Sequence, residues 1–139
     1  MTDFSVTTTP NGEYQDTRWR WSKHGEENAR PGQLDADAFA DVIEVHNGAP
    51  QIPSGTAVSL GGNGLYVPFE AADEDGEGGN VLAGFVNDNA GVAVTGAGAK
   101  PTFALLVHGI VKASLLPVAA QRDAVKTADA TCSITYVED

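Results

Sequence analysis

Short apolar runs separated by glycine, proline and asparagine fill the chain from IPSGTAVSLGGNGLYVPFE onward, and no segment there sustains a long helical period. That pattern predicts β-strands at Ala57 to Leu60, Leu65 to Phe69, Val81 to Val86, Phe103 to Val111 and Thr131 to Val137. Two low-complexity stretches interrupt the series. AADEDGEGGN is acidic and glycine-rich, AGVAVTGAGAKP is built from small residues, and both suit exposed turns. Two segments read as helical: LDADAFADVIEV, where Phe39, Val42 and Ile43 fall at helical spacing behind Asp35 and Asp37, and a turn after Pro117 in LLPVAAQRDAVKTADA.

The opening stretch, TDFSVTTTPNGEY, has a different character. Phe4 and Val6 alternate with Ser5 and Thr7, which is a strand period, yet a Pro-Asn-Gly break follows and no apolar run lies nearby to pair with it. Residues 1–18 are therefore read as a flexible arm with β potential, and residues 19–139 as one β-rich domain. The fold class is mainly β with one or two short helices and an extended N-terminal arm. At the junction, TRWRW places Trp19 and Trp21 two apart, so an extended backbone would turn both rings to one side and Arg18 and Arg20 to the other. The pair reads either as a cap on the core or as an exposed anchor for a partner, since Trp and Arg are both enriched in binding hot spots.

Composition narrows the function. A chain of 139 residues fits a single domain that can bury a core without disulfides or metals. The formal net charge of −11 argues against nucleic acid, because phosphate binding needs clustered Lys and Arg. Half of the eight basic residues, Arg18, Arg20, Lys23 and Arg30, fall in the first thirty positions, whereas Glu70 to Asp88 carries only acids. An acidic partner would meet less repulsion at the N-terminal end. No apolar segment reaches transmembrane length and no secretory signal is recognisable, so the expectation is a soluble protein made in the cytoplasm, without a membrane partner.

Motifs for chemistry fall short one after another. Asp73, Asp75 and Glu77 before Gly78 mimic the start of an EF-hand loop, but the position that should supply the bidentate Glu is Gly84. The GAGAKPT stretch lacks a lysine directly after glycine, and Pro101 removes an N–H where a phosphate needs a donor. Neither a nucleophile elbow nor an H-E-x-x-H motif occurs, and His24, His46 and His108 are scattered. The single cysteine, Cys132, shares a predicted strand face with Ile134 and Tyr136, so a buried apolar role is expected for it. No catalytic residue, cofactor site or metal site is expected.

Six segments in order, WSKHG, LDADAF, IPSGTAV, GLYVPFE, VLAGFV and LLVHGIVKASLLP, resemble the head decoration, or capsid cement, proteins of tailed bacteriophages. The chain is most similar to the versions in phages of actinobacteria, over about Trp19 to Pro117. The resemblance implies a small β-clip-like barrel or sandwich that forms a homotrimer on the outside of the capsid at three-fold positions and has no catalytic residues. Its partners would be the major capsid protein and itself. It also implies an N-terminal arm that orders on the capsid, for which Phe4, Ser5, Val6, Thr7 and Thr8 are the candidate docking strand. Trp19, Arg20, Trp21 and His108 are the candidate capsid or trimer contacts. The acidic loop Asp73 to Asn80 and the small-residue insertion before Pro101 depart from the family pattern. Two rival expectations remain beside it: a host-attachment or carbohydrate-binding module with exposed aromatic residues, and a small hydrolase built from the scattered His and carboxylates.

Overall fold

The structure is a computed structural model that describes residues 16–21, 29–46, 48–72 and 79–137. The candidate docking strand Phe4 to Thr8 and residues 73–78 of the acidic loop lie outside the described residues. The described residues form ten strands: β1 (Arg30–Gln33), β2 (Glu44–His46), β3 (Ala49–Ile52), β4 (Ala57–Leu60), β5 (Tyr66–Pro68), β6 (Gly84–Val86), β7 (Val92–Ala93), β8 (Thr102–Leu106), β9 (His108–Lys112) and β10 (Ser133–Val137). One short α-helix, α1 (Ala124–Thr127), and three 3-10 turns complete them.

The strands make a five-stranded antiparallel sheet in the order β1-β8-β6-β4-β5, a three-stranded antiparallel sheet β2-β3-β7, and a parallel pair β9-β10. The five-stranded sheet is apolar on both faces. Ala57, Phe85 and Leu106 point into one cluster with Trp19, Val111 and Leu116, while Val58, Val86 and Leu105 point into another with Leu34, Phe39 and Ile52. Burial on both faces is why β4, β6 and β8 read in sequence as continuous apolar runs rather than as an alternation. At one end of the sheet its two outer strands meet: Leu34, just after β1, bridges to Tyr66 of β5, and the Asp35 N–H donates to the Tyr66 carbonyl at 2.9 Å.

A polar clamp ties the C-terminal region to this sheet. Gln121 is 3% exposed, and its amide pairs with the main chain as a strand residue would. The Ala57 N–H donates to its Oε1 at 2.9 Å, and its Nε2 donates to the Ala57 and Phe69 carbonyls at 3.0 Å each. A buried polar side chain is tolerable because every group is satisfied.

Several sequence expectations hold. β4 has its predicted bounds, β5 and β10 fall inside their predicted segments, and Ile134 and Tyr136 of β10 pack with Cys132 against the first cluster. Others are corrected. The predicted strand Phe103 to Val111 is two strands, because the chain leaves the five-stranded sheet at Val107, whose carbonyl accepts from the Ser133 N–H at 2.7 Å where the parallel pairing with β10 begins. The predicted helix over LDADAFADVIEV is only a 3-10 turn, Ala36–Phe39. There the Asp37 carboxylate accepts from the Gly98 N–H, and the β-branched Val42 and Ile43 lead on into β2.

The tryptophans also separate. Trp19 is 1% exposed and Trp21 is 56% exposed, so they do not share a side. A turn at residues 18–19 precedes the single bridge Arg20 to Val111, so the segment is not extended long enough to impose the strand period.

Candidate functional site

The residues on either side of Trp19 form a short third strand position on β9. Arg20 bridges antiparallel to Val111, the Lys112 N–H donates to the Trp19 carbonyl at 2.7 Å, and the Trp21 N–H donates to the Ile110 carbonyl at 3.0 Å. β9 thus lies between β10 and this N-terminal segment. Trp19 fixes the segment from below. Its ring lies 5.9 Å from that of Phe85, its Nε1–H donates to the Ser54 hydroxyl at 3.0 Å, and it occupies the space where a side chain on Gly55 would sit. Gly55 has φ +90°, so glycine is required both by the backbone and by the indole.

Arg20 crosses the segment and donates to the Asn87 side-chain oxygen at 3.1 Å and to that of Asn89, with its guanidinium 5.3 Å from the Trp19 ring. Trp21 projects outward, with the Lys112 ammonium 5.4 Å from its ring centre. Trp19, Arg20 and Trp21 are therefore brought together, with Trp19 as the internal anchor and Trp21 as the outward surface.

His108 lies at the start of β9, exposed, on the rim of a different feature. This is a hollow of about 610 Å³ between the five-stranded sheet and the β9-β10 pair, where Leu60, Tyr66, Val81 and Val107 meet under Arg30 and His108. Leu60 is 57% exposed and Val81 45%, which makes the hollow the place where two of the exposed large apolar side chains lie together. None of its described lining residues is acidic. Chemically it offers apolar area with a basic rim, which suits docking of a surface rather than turnover of a small molecule.

A second concavity, of about 220 Å³, is polar and is lined in part by Ser54, the hydrogen-bond partner of Trp19. Arg18 and Arg122 line it together with Asp16, Glu44, Ser54 and Asn89. Asp16 and Arg18 are paired through two bonds of 2.9 and 2.8 Å, and the guanidinium holds the Asp16 carboxyl below the usual carboxylate range.

Elsewhere the titrating groups are arranged for packing. Burial pushes the Cys132 thiol up, and burial followed by the neighbouring Cys132 pushes the Tyr136 phenol up, so neither is an activated nucleophile. Burial also raises Asp88, partly offset by its acceptance of the Ala104 N–H at 2.8 Å. No group of three or more metal-ligating side chains occurs among the described residues.

No family model matches the chain, and no curated protein or solved structure matches it. Leu60, Val81 and Arg122 were not singled out from sequence. Leu60 and Val81 sit at the ends of apolar runs flanking turns, and Arg122 is one basic residue in an alanine-rich stretch. Only their three-dimensional neighbours distinguish them.

Proposed function

We infer that this chain is a structural, non-enzymatic protein: a homotrimeric decoration, or cement, protein that binds the outer surface of an assembled bacteriophage head and stabilises it. The observation that carries the reading is the ordered run of six segments from WSKHG to LLVHGIVKASLLP. Four of them supply strands that organise the fold: IPSGTAV ends β3 and begins β4, GLYVPFE contains β5, VLAGFV contains β6, and LLVHGIVKASLLP runs from the end of β8 through β9. The Leu34 to Tyr66 bridge between the outer strands supports closure of the five-stranded sheet into a small barrel.

In this reading Phe4 to Thr8 add as a strand to an exposed sheet edge on the major capsid protein, with Phe4 and Val6 as anchors. Three arms on one trimer act at high effective concentration, so modest single-arm affinity becomes tight binding to the lattice. Because the ligand is the assembled shell, binding stabilises that shell by mass action. The apolar hollow beside His108 is the self-association face, and Trp21 with Lys112 forms an outward ridge available to the capsid. The protein is made in the host cytoplasm and ends on the exterior of the virion.

The carbohydrate-binding alternative has less support, since Trp21 is the one aromatic residue among the strongly exposed apolar side chains described. The deciding experiment mixes purified protein with undecorated, expanded capsids and images them. Density at the three-fold positions is expected, and bare three-fold positions at saturating protein overturn the reading. Light scattering on the free protein checks self-association, where wild type should exceed the monomer mass and Leu60→Asp should reduce it.

A further inference from the structure

The polar concavity around Arg122 is not used by the proposed docking. Arg122 is half-buried and lines this pocket, and its Nε–H donates to the Leu116 carbonyl at 2.8 Å, which orients the guanidinium and leaves its two terminal nitrogens for other partners. It makes no ion pair among the described residues. The two acids that line the same pocket are already engaged, Asp16 by Arg18 at 2.8 Å and Glu44 by His46 at 2.8 Å. In a chain with eight basic residues and nineteen acidic ones, a half-buried arginine without a carboxylate is an unusual arrangement.

The other polar groups add donors. Ser54 is 6% exposed, and its oxygen accepts from Trp19, so its own proton is left to donate. The Asn89 oxygen accepts from Arg20, which turns its NH2 group into the remaining face of that side chain. The geometry points to a binding site for a small monocarboxylate, held by the Arg122 guanidinium with Ser54 and Asn89 as flanking donors. A planar, singly charged head fits the planar fork of arginine. A dianionic phosphate would meet stronger repulsion from Asp16 and Glu44. The volume of about 220 Å³ admits a side-chain-sized group and is smaller than the roughly 300–1,000 Å³ of sites for drug-sized ligands.

The test is a titration of the full chain followed by the arginine Nε–H signals in proton–nitrogen NMR. Sodium propionate is the probe for a free carboxylate, N-acetyl-glutamate amide is the probe for a carboxylate on a polypeptide, and sodium chloride at equal ionic strength is the control. Inorganic phosphate forms a fourth arm. A saturable shift of the Arg122 signal with either carboxylate, with a dissociation constant on the order of millimolar, is expected, and the preferred carboxylate identifies the source. Arg122→Gln should weaken binding by about tenfold or more. Because that change also removes a bond to Leu116, Asn89→Asp serves as a second variant, placing a like charge on the rim while keeping an acceptor for Arg20, and should weaken binding severalfold. A linear response equal to that of chloride, or phosphate binding as tightly as propionate, or Asn89→Asp binding unchanged, overturns the assignment.

Discussion

Replacing Gln121 by leucine keeps the volume of the side chain and removes every polar contact it makes. Its amide serves the Ala57 N–H, the Ala57 carbonyl and the Phe69 carbonyl, all at 2.9 to 3.0 Å. The Ala57 carbonyl keeps a second donor, the Phe69 N–H at 2.9 Å. The substitution therefore orphans two buried groups, the Ala57 N–H and the Phe69 carbonyl. At about 1–3 kcal/mol for each orphaned group, less about 1 kcal/mol for the added apolar burial, the loss is about 1–5 kcal/mol. Against a total stability of roughly 5–15 kcal/mol this is a large fraction. Guanidinium denaturation should show a lower midpoint with an unchanged slope, and the Tm should fall by roughly 3–20 °C. Gln121→Glu sharpens the test. The new carboxyl would face two carbonyls in a site 3% exposed, so its folded-state pKa should lie above the unfolded value. Relative to wild type, this variant should be least destabilised below the unfolded pKa and should lose ground as pH rises through the folded one. A loss below about 0.5 kcal/mol for Gln121→Leu, the range of an ordinary surface change, would refute the clamp.

Three further outcomes follow from the same contacts. Trp19→Ala should cost about 3–5 kcal/mol, because it empties the site against Phe85 and Gly55, whereas Trp21→Ala should stay within about 0.5 kcal/mol; parallel denaturant titrations check both. Gly84→Ala should destabilise by more than about 1 kcal/mol, since φ is +154° and a Cβ there would run into the Leu106 carbonyl, and the same titration measures it. Asp88, whose carboxyl is raised by burial, favours folding when protonated, so its contribution is fully present below its unfolded pKa and is lost as pH rises through the folded value. Asp88→Asn keeps an acceptor for the Ala104 N–H and should flatten that part of the stability–pH curve; an unchanged curve would count against the burial argument.

What the sequence made legible was the β6-β4-β5 side of the five-stranded sheet. β4, β5 and β6 announce themselves because short apolar runs there are bounded by glycine, proline and asparagine on both sides. β1 and β3 were not predicted, and each carries a proline, Pro31 and Pro50, a residue disfavoured inside strands, although both pair within antiparallel strands. The break at Val107 was hard to read, since Phe103 to Val111 is apolar apart from His108, and one polar residue does not distinguish a change of sheet from a continuing strand. Trp19 and Trp21 could be found as candidates, but not sorted, because burial of one ring depends on Gly55 and Ser54, some thirty-five residues away. The hollow and the Arg122 pocket were illegible for a similar reason, as each is lined from several elements distant in sequence.

The segment from Asp16 to Trp21 gives the proposed function a physical route for force. Under that function, any load on an N-terminal arm enters the described residues at Asp16 and must be held before it reaches the sheet. Four kinds of contact hold it: the Asp16–Arg18 pair, the burial of Trp19, the main-chain bonds to Ile110 and Lys112 of β9, and the reach of Arg20 to Asn87 and Asn89. The exposed pair contributes little, at about 0–1 kcal/mol, so Trp19 and the β9 bonds dominate. Because β9 is itself held along its other side by five paired residues of β10, pulling on the segment loads two sheet seams rather than one loop. Under that function Trp19 is more than a core residue: it fastens the N-terminal segment both to β9 and to the first apolar cluster, so the segment cannot be released without opening buried contacts.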